Sequence, residues 1–516
     1  MGSKKWGTLA LWMPLLLAGC KGFWNPVGSS DFSLSNSGTI SVSSPGATSG
    51  NTSTITVTPS SSFSGTVALT CAVTTSPSGA TSPVTCSLSP TSVAISGSTA
   101  ETATLTASTT STTTTGTYEI TVTGTSGSAT TTTTACVTVG TSSGNCSTAS
   151  ATTSGNFYVL NAATDQITGL YVNNGVLTAL TGGTATLQIA PLSIAISPNG
   201  GFLYVGTQQG IYLYSIASGG QLTLANTQPI SADPAISMQV SPDNRWLIDV
   251  ASQAPFVHAV PIDPSTGFNS AAEVTAIIAS SSPQQVAISP DGSYVFVAMG
   301  PGTSSGGAIA AGGTAIVPFT TSDTAAPFGT VSTLPPINSS GTALSVAVDP
   351  LQSGQTTPRL FYVGETLATS GSNTGGLRAF DFNTLGSGLK EVTGSPFAIA
   401  GLAPSSILPI STGSYVYVVN RQTSSGSTGV IAGFSISGTT GSYTLSALGS
   451  TFTAGTNPVA LAEDSTGTFV FVVDIGGNPD LKGYTFDATN AGYLDAVISS
   501  QTGTDPVQAS AIAAAP

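Results

Sequence analysis

Few residues in this sequence could take part in acid–base or metal chemistry. Its 516 residues include 22 Asp and Glu, 9 Lys and Arg, and a single histidine, His258. Glu365 and Asp474 lie at corresponding points of a repeated segment and Arg421 lies next to such a point, and we select these three as candidate catalytic residues. Either carboxylate could act as a general base or bind a cation, and the guanidinium could hold an anionic group.

One residue of each copy of the repeat falls just after the copy's second predicted strand, where it could line a binding site. These residues are Asn161, Thr207, Ala251, Met299, Glu365, Asn420 and Asp474. The predicted ligand-binding set is this group with Arg421 and without Ala251. The mixture of side chains also fits solvated strand ends that bind nothing, and this alternative stays open. We interpret His258 as a structural residue, because no carboxylate lies near it in sequence.

Several kinds of site are not predicted. There is no Gly-x-Ser-x-Gly nucleophile elbow, no phosphate-binding loop and no pair of metal-ligand motifs. We therefore predict no cofactor and no metal. The formal net charge is −13, and a surface this acidic repels phosphate backbones, which excludes nucleic acid as a partner.

The N-terminus is typical of an exported protein. Two lysines precede a short apolar segment that ends in the letters LAGC at Cys20, which is the layout of a secretory signal over residues 1–20. The ending resembles the bacterial lipobox, in which the cysteine thiol is acylated before cleavage; the alternative is an ordinary signal peptide. The resemblance implies an outer-membrane lipoprotein, since Lys21 is not the Asp that retains lipoproteins in the inner membrane. The lipid would be the only membrane attachment, through a tether over 21–30, and the protein would face the periplasm or the cell surface.

Four cysteines follow the signal segment, namely Cys71, Cys86, Cys136 and Cys146. An even number of cysteines in an exported chain predicts two disulfides. The pairs Cys71–Cys86 and Cys136–Cys146 enclose the shortest loops, although three connectivities are possible. A metal site on these cysteines would need histidine or acidic neighbours, and we exclude it.

Residues 31–140 are predicted to form a small β-sandwich. Ser and Thr alternate there with Val, Ile and Leu at a period of two, which is typical of half-buried strands. The segments FSGTVALTC (63–71), TCSLSP (85–90) and GTYEITV (116–122) resemble a bacterial immunoglobulin-like domain. That resemblance implies a spacer or adhesion module. Residues 141–155 are rich in Ser, Thr and Gly and are predicted to be a linker.

From residue 156 onward one segment recurs: an apolar run, a turn of the type Ser-Pro-Asp/Asn-Gly, and an aromatic-rich strand. Its clearest copies are PLSIAISPNG at 191–200 and PQQVAISPDG at 283–292, and weaker copies begin at Pro234, Thr342, Pro404 and Pro458. Spacings of about 43 to 62 residues are the period of propeller blades with loop insertions.

A seventh copy is split between the two ends of this region. Residues 506–513 resemble the first strand of a copy, and residues 157–161 resemble a second strand with nothing before it. If these strands pair, the ring closes without an open sheet edge. The sequence therefore predicts an all-β protein, with an immunoglobulin-like sandwich followed over 156–516 by a seven-bladed β-propeller closed by a split blade.

The repeat is similar to that of the secreted YVTN propellers and the related lactonase family, best known for 6-phosphogluconolactone hydrolysis. The resemblance spans residues 156–516, but it concerns blade geometry and not a site. Two functions follow from it. The first is a non-catalytic binding or scaffold module at the cell envelope, a monomer that holds a protein or carbohydrate at the propeller mouth; low charge and long Gly/Ser loops favour it. The alternative is a lactonase-like hydrolase acting on a sugar lactone, which would need Glu365, Arg421, Asp474 and His258 to converge at one mouth.

Overall fold

The structure is a computed structural model, and it falls into two compact units, Met1–Thr141 and Ser142–Pro516. It describes residues 32–140 and 154–516, except for short gaps at 38–39, 60–62, 78–79, 97–98, 128, 174, 305, 311, 370–373, 400, 422–427, 478, 488–489 and 500–504. The predicted signal segment with Cys20, the tether over 21–30, Cys146 and most of the linker lie outside the described residues. No helix in the described part is long and apolar enough to cross a membrane.

The first unit consists of two sheets that share a core. Its strands are β1 (Phe32–Asn36), β2 (Ile40–Val42), β3 (Thr52–Pro59), β4 (Gly65–Thr75), β5 (Thr85–Ser89), β6 (Ser92–Ile95), β7 (Glu101–Ser108), β8 (Gly116–Ser126) and β9 (Ala129–Val139). One sheet has the order β1-β3-β7-β5 and the other β2-β9-β8-β4-β6. Buried Ile55 and Leu105 of the first sheet pack with Tyr118 and Ile120 of the second. The alternation of apolar and hydroxyl side chains thus puts one face of each sheet inside.

Cys71 of β4 and Cys86 of β5 form a disulfide that links these two sheets. This is one of the two pairs in the predicted shortest-loop connectivity. The other pair includes Cys146, which is not among the described residues.

The second unit contains the remaining strands and one short 3-10 helix, η1 (Phe382–Thr384). The strands are β10 (Phe157–Asn161), β11 (Gln166–Asn173), β12 (Val176–Thr186), β13 (Pro191–Ile196), β14 (Phe202–Thr207), β15 (Gly210–Ile216), β16 (Leu222–Leu224), β17 (Ala235–Val240), β18 (Trp246–Ala251), β19 (Phe256–Pro261), β20 (Val274–Ile277), β21 (Pro283–Ile288), β22 (Tyr294–Met299), β23 (Gly302–Thr303), β24 (Ile309–Ala310), β25 (Gly313–Pro318), β26 (Ser332–Leu334), β27 (Ala343–Val348), β28 (Leu360–Thr369), β29 (Thr374–Asp381), β30 (Lys390–Glu391), β31 (Phe397–Ala398), β32 (Ala403–Pro409), β33 (Tyr415–Arg421), β34 (Thr428–Ser437), β35 (Thr444–Thr456), β36 (Pro458–Glu463), β37 (Phe469–Asp474), β38 (Leu481–Phe486), β39 (Leu494–Ser499) and β40 (Ala509–Ala514).

Apart from the small β23–β24 pair, these strands form seven antiparallel sheets. Six sheets follow the chain in order, beginning with β13, β17, β21, β27, β32 and β36, and one sheet has the order β12-β11-β10-β40. The repeated segment supplies the first two strands of each consecutive sheet. In the turn between them, the Ser197 hydroxyl accepts a hydrogen bond from Phe202 N at 2.9 Å and donates one to Asn199 Oδ1 at 2.7 Å. Gly200, at φ 71°, completes the turn in a conformation that favours glycine.

The first strands of the seven sheets form a closed ring, because each contacts the first strand of the next sheet and β40 contacts both β36 and β13. Neighbouring first strands are joined by side chains. Ile288 N donates to Gln239 Oε1 at 2.9 Å, and Val346 N donates to Gln285 Oε1 at 2.9 Å. The Ser405 hydroxyl likewise donates to the next strand, to a backbone carbonyl at 2.8 Å. Neutral Ser and Gln side chains therefore connect the strands that backbone pairing does not reach.

The last strand pairs with the first strand of this unit, as predicted. β40 lies antiparallel to β10, with Phe157 opposite Ala514 and Tyr158 opposite Ala513. Ala515 N donates to Asn156 O at 2.8 Å just beyond the strand. The observed strand begins three residues later than the predicted 506–513, because the chain is still turning at Gln508, where φ is 53°.

Candidate functional site

A cavity of about 770 Å³ lies inside the ring and is lined by the first strands of all seven sheets. Its wall consists mainly of Ile, Val, Leu, Ala and Pro side chains, with Ser and Gln between them. Arg421 is the one charged side chain among the described residues of the wall, and no Asp, Glu, His, Cys or Tyr is found there. The described wall therefore offers hydrogen bonds and one positive charge but no group suited to proton transfer near neutral pH.

Two polar atoms of residues that line the cavity have no hydrogen-bond partner among the described residues. Within the part of the chain that the structure describes, Arg421 Nε and Ser510 Oγ are buried atoms without a hydrogen-bond partner. By contrast, the Gln239, Gln285 and Ser406 side chains already accept hydrogen bonds from neighbouring first strands. Arg421, as the charged residue of the described wall, is therefore the group best suited to recognise an anionic ligand.

The seven residues predicted from the repeat are structurally equivalent, but they do not line the cavity. Each lies opposite the beginning of the first strand of its sheet, as Thr207 lies opposite Pro191 and Asp474 opposite Pro458. All seven are buried inside their sheets, and none belongs to the described wall. The reason is that these residues belong to the second strand itself, which lies behind the first strand in its sheet, and are covered by neighbouring chain. Of the proposed ligand-binding set, Arg421 alone lies on the wall; ligand binding by the others stays a prediction.

Glu365 is occupied by an ion pair within its own sheet. Its carboxylate lies 2.9 Å from Nη1 of Arg378 and also accepts a hydrogen bond from Ile337 N at 3.0 Å. Arg378 in turn makes a bidentate contact with Glu391, with both distances 2.9 Å. Both oxygens of Glu365 are thus engaged in a buried structural network. Sequence reasoning did not find Arg378, because only the β28–β29 pairing brings it beside Glu365.

Asp474 is enclosed in a different way. Its Oδ1 accepts a hydrogen bond from Thr456 N at 3.1 Å, and its buried Oδ2 has no partner among the described residues. Gly455 and Gly477 lie so close that a Cβ at either position would collide with the carboxylate. Burial raises the pKa of Asp474 to about 7. The carboxyl could therefore exchange a proton near neutral pH, but the surrounding chain covers it.

The stability of the protein should respond to pH through Asp474. Its folded-state pKa of about 7 lies above the unfolded value of about 3.9. Between these values the native state retains a proton that the unfolded state has lost, so the free energy of unfolding falls as pH rises through this window. We expect Asp474→Asn to increase the free energy of unfolding by about 1–2 kcal/mol above pH 7, a range that allows for solvent screening, and by little near pH 4.

Urea unfolding at about pH 4.5 and about pH 8 measures this difference. Asn161 and Asn420 occupy the equivalent position in two other sheets, which indicates that an amide is compatible with the fold there. The same change in stability at both pH values would contradict the assignment.

His258 lies among carboxylates that are distant from it in sequence, and its interpretation as a structural residue stays a prediction. Its Nδ1 is 3.3 Å from Asp249 Oδ1, directly across the β18–β19 pair, and 3.0 Å from Asp233 Oδ2, in the connection before β17. Burial opposes a charged imidazole, but hydrogen bonds and the charges of the two carboxylates outweigh it and raise the pKa of His258. Burial raises the pKa of Asp249. Asp249 and His258 are nine residues apart in sequence, so their contact could not be predicted without the register of the β18–β19 pair.

The four residues whose convergence would have indicated a shared catalytic site belong to four different sheets. Glu365, Arg421, Asp474 and His258 lie in the sheets that begin with β27, β32, β36 and β17. No hydrogen bond or ion pair joins any two of them in the described part of the chain. Sequence reasoning therefore selected one wall residue and members of three separate buried clusters.

The comparisons with known proteins identify the fold class. No protein-family model matches the sequence, and no curated protein sequence matches it. A putative 6-phosphogluconolactonase from Bacteroides fragilis NCTC 9343 is 14% identical, covers 72% of this chain and 99% of its own, and has a TM-score of 0.52. The periplasmic gluconolactonase of Pseudomonas aeruginosa is 16% identical, covers 71% of this chain and 100% of its own, and has a TM-score of 0.53.

A putative 6-phosphogluconolactonase from Bacteroides uniformis ATCC 8492 gives a similar result, with 16% identity, coverage of 70% and 99%, and a TM-score of 0.53. The protein is therefore all-β, with a lactonase-like β-propeller fold. Identities this low establish the fold and leave the activity to the site itself.

Proposed function

We propose that this protein is an extracytoplasmic binding protein whose central cavity holds a small polar ligand without turning it over. The observation that carries the proposal is the cavity wall, where Arg421 is the one charged side chain of the described residues. Lactone hydrolysis requires a group that activates water and a group that protonates the leaving oxygen. Ser, Gln and a permanently charged arginine supply neither function near neutral pH, but all three bind hydroxyl and carboxylate groups well.

The wall also limits the class of ligand. Aliphatic side chains with Ser and Gln between them suit a neutral carbohydrate, and Arg421 adds a position for one carboxylate. A phosphorylated ligand is disfavoured, because one guanidinium would face two negative charges inside a chain of net charge −13. We therefore propose a neutral sugar or a singly charged sugar acid as the ligand.

The architecture around the cavity completes the proposal. Seven sheets whose first strands close a ring support a seven-bladed propeller, and two sheets on a shared core support an immunoglobulin-like spacer.

The proposal includes a membrane anchor. Acylation at Cys20 would attach the protein, which we propose to be a monomer, to the outer membrane. Radiolabelled palmitate should be incorporated by the wild type and not by Cys20→Ser; labelling of that variant would contradict the anchor.

The alternative function is lactonase-like hydrolysis. The fold likeness to a putative 6-phosphogluconolactonase and to a periplasmic gluconolactonase favours it. The contact between His258 and Asp249 also provides titratable groups, although in a sheet and not on the cavity wall.

Binding and turnover can be distinguished with one panel of compounds. Calorimetry with an aldonate and the matching neutral aldose should show binding, and Arg421→Gln should weaken the aldonate by about tenfold while leaving the aldose unchanged. Arg245→Gln, on the exposed surface, is the matched control and should change neither. Sugar lactones should be hydrolysed no faster than in buffer. Hydrolysis that Asp249→Asn abolishes would overturn the binding proposal in favour of the alternative.

A further inference from the structure

We propose that Asp233, Asp249 and His258 form a binding site for a first-row divalent cation such as Zn²⁺ or Mn²⁺. The three side chains offer two carboxylate oxygens and one imidazole nitrogen, all within 4.8 Å of one another. Imidazole with carboxylates is a ligand set that suits Zn²⁺ and Mn²⁺ better than Ca²⁺, which prefers oxygen ligands alone. The site lies at one sheet and the connection that leads into it, is separate from the described lining of the central cavity, and does not depend on the proposed function.

The spacing of the ligand atoms fits a metal ion. Tetrahedral Zn²⁺ with ligands at about 2.0–2.2 Å requires neighbouring ligand atoms about 3.3–3.6 Å apart. His258 Nδ1 lies 3.0 Å from Asp233 Oδ2 and 3.3 Å from Asp249 Oδ1. Side-chain shifts of a few tenths of an ångström at His258, with Asp233 and Asp249 within 4.8 Å of each other, would bring the three atoms to an ion, and water would take the fourth position. Nδ1 must lose its proton to bind, so one proton passes from the imidazole to solvent.

Asp249 supplies independent support for a cation site, because it is a buried acid with one carboxylate oxygen that has no hydrogen-bond partner among the described residues. Its side chain is 0% exposed, and its Oδ2 has no hydrogen-bond partner among the described residues. A buried carboxylate oxygen without a donor is costly, and a cation bound by both oxygens of Asp249 would offset that cost. His258 contacts Oδ1 and leaves Oδ2 facing no donor.

The repeat shows that this acid is not required by the fold. In the other six sheets, valine lies two positions before the residue that the repeat predicted for the site, and in this sheet the equivalent position, two before Ala251, is Asp249. Those valines are Val159, Val205, Val297, Val363, Val418 and Val472. The position is a core position elsewhere in the ring, so a carboxylate there lowers stability unless it has a partner. This departure from the repeat indicates a binding role.

The surroundings provide access and orientation. Asp249 and His258 are held by the β18–β19 pairing, whereas the Asp233 side chain is 23% exposed and opens the site to solvent. The Ser231 hydroxyl lies 2.9 Å from Asp233 Oδ2 and 3.3 Å from Glu273 Oε2. Ser231 would orient Asp233, and the exposed Glu273 is placed to act as a further ligand or to attract the cation.

The test uses the full chain without a polyhistidine tag, treated with a chelator and titrated with ZnCl₂ or MnCl₂ alone. We expect one ion per chain and a higher melting temperature with Zn²⁺. Asp249→Val restores the residue of the other sheets and should remain folded while its affinity falls at least tenfold. His258→Gln should show the same loss. Glu101→Gln removes an exposed carboxylate of the first unit and should bind as the wild type does.

Spectroscopy gives a readout that needs no variant. His258 is the only histidine in the chain, so an imidazole nitrogen coupling in pulsed EPR spectra of bound Mn²⁺ identifies this site. The proposal is overturned by absence of stoichiometric binding, by spectra without that coupling, or by wild-type affinity in Asp249→Val and His258→Gln.

Discussion

Deletion of residues 506–516 is expected to abolish the cooperative unfolding of residues 154–516 and to cause aggregation. β40 is the pairing partner of β10, and it also contacts β36 and β13, the first strands on either side. Its removal would leave the edge of β10 unpaired and uncover apolar side chains of both neighbours. Loss of the unfolding transition followed by circular dichroism, with a shift to large species in size-exclusion chromatography, is the expected result. A monomer with an unchanged denaturant midpoint would contradict the closure of the ring.

Two proline substitutions test the same pairing more finely. The bond from Ala515 N to Asn156 O fixes the alternation of the antiparallel ladder, so that the N–H of Ala513 points towards Tyr158 and that of Ala514 points away from β10. Ala513→Pro should therefore remove a ladder hydrogen bond and destabilise the unit by about 1–3 kcal/mol. Ala514→Pro is the matched control and should cost distinctly less; equal losses would argue against this register.

The second large effect is expected at the buried ion pair. Arg378→Met should lower the free energy of unfolding by about 3–5 kcal/mol, because it leaves the carboxylate of Glu365 buried without its counter-charge. Urea unfolding monitored by fluorescence or circular dichroism measures the loss. The exposed pair formed by Arg245 and Asp243, 3.8 Å apart, offers a control in Arg245→Met, whose effect should stay below about 1 kcal/mol.

A double variant separates charge from packing at this pair. Adding Glu365→Gln to Arg378→Met removes the uncompensated charge and keeps an acceptor for Ile337 N, so part of the lost stability should return. If Arg378→Met were as mild as Arg245→Met, Glu365 would not depend on the ion pair, and its selection as a catalytic candidate would regain support.

Much of the second unit could be predicted from sequence, because its turns carry a physical signature. The turn at Ser197, Asn199 and Gly200 shows the reason. The serine hydroxyl makes hydrogen bonds with the backbone and with the asparagine side chain, and the glycine adopts the positive φ. Similar residue patterns mark further turns between first and second strands. The split seventh copy could be predicted because each end of the region contained a single strand without a partner in sequence. The start of β40 was misplaced by three residues, since Pro506 to Gln508 contain no pattern that separates turn from strand.

The candidate site was less predictable, because it depends on the register of the strands and on the burial of side chains rather than on residue type. Counting along the repeat found equivalent residues but could not show that Glu365 and Asp474 are covered by neighbouring chain. Asp249 and His258 are nine residues apart in sequence, and only the β18–β19 pairing makes them neighbours. A comparison of the repeat copies position by position would have found Asp249, because an acid stands there among six valines.

The neutral side chains that join the first strands also determine how the ring should respond to the salt concentration around it. Gln239, Gln285 and Ser405 connect neighbouring strands through dipoles and not through charges. Dissolved ions screen charge pairs strongly but act little on short hydrogen bonds between neutral groups. The ring should therefore hold its shape from dilute to saline surroundings, where a ring closed by ion pairs would loosen. If the protein acts outside the cytoplasm, as we propose, where the cell does not regulate the ionic environment, that indifference to salt is an advantage.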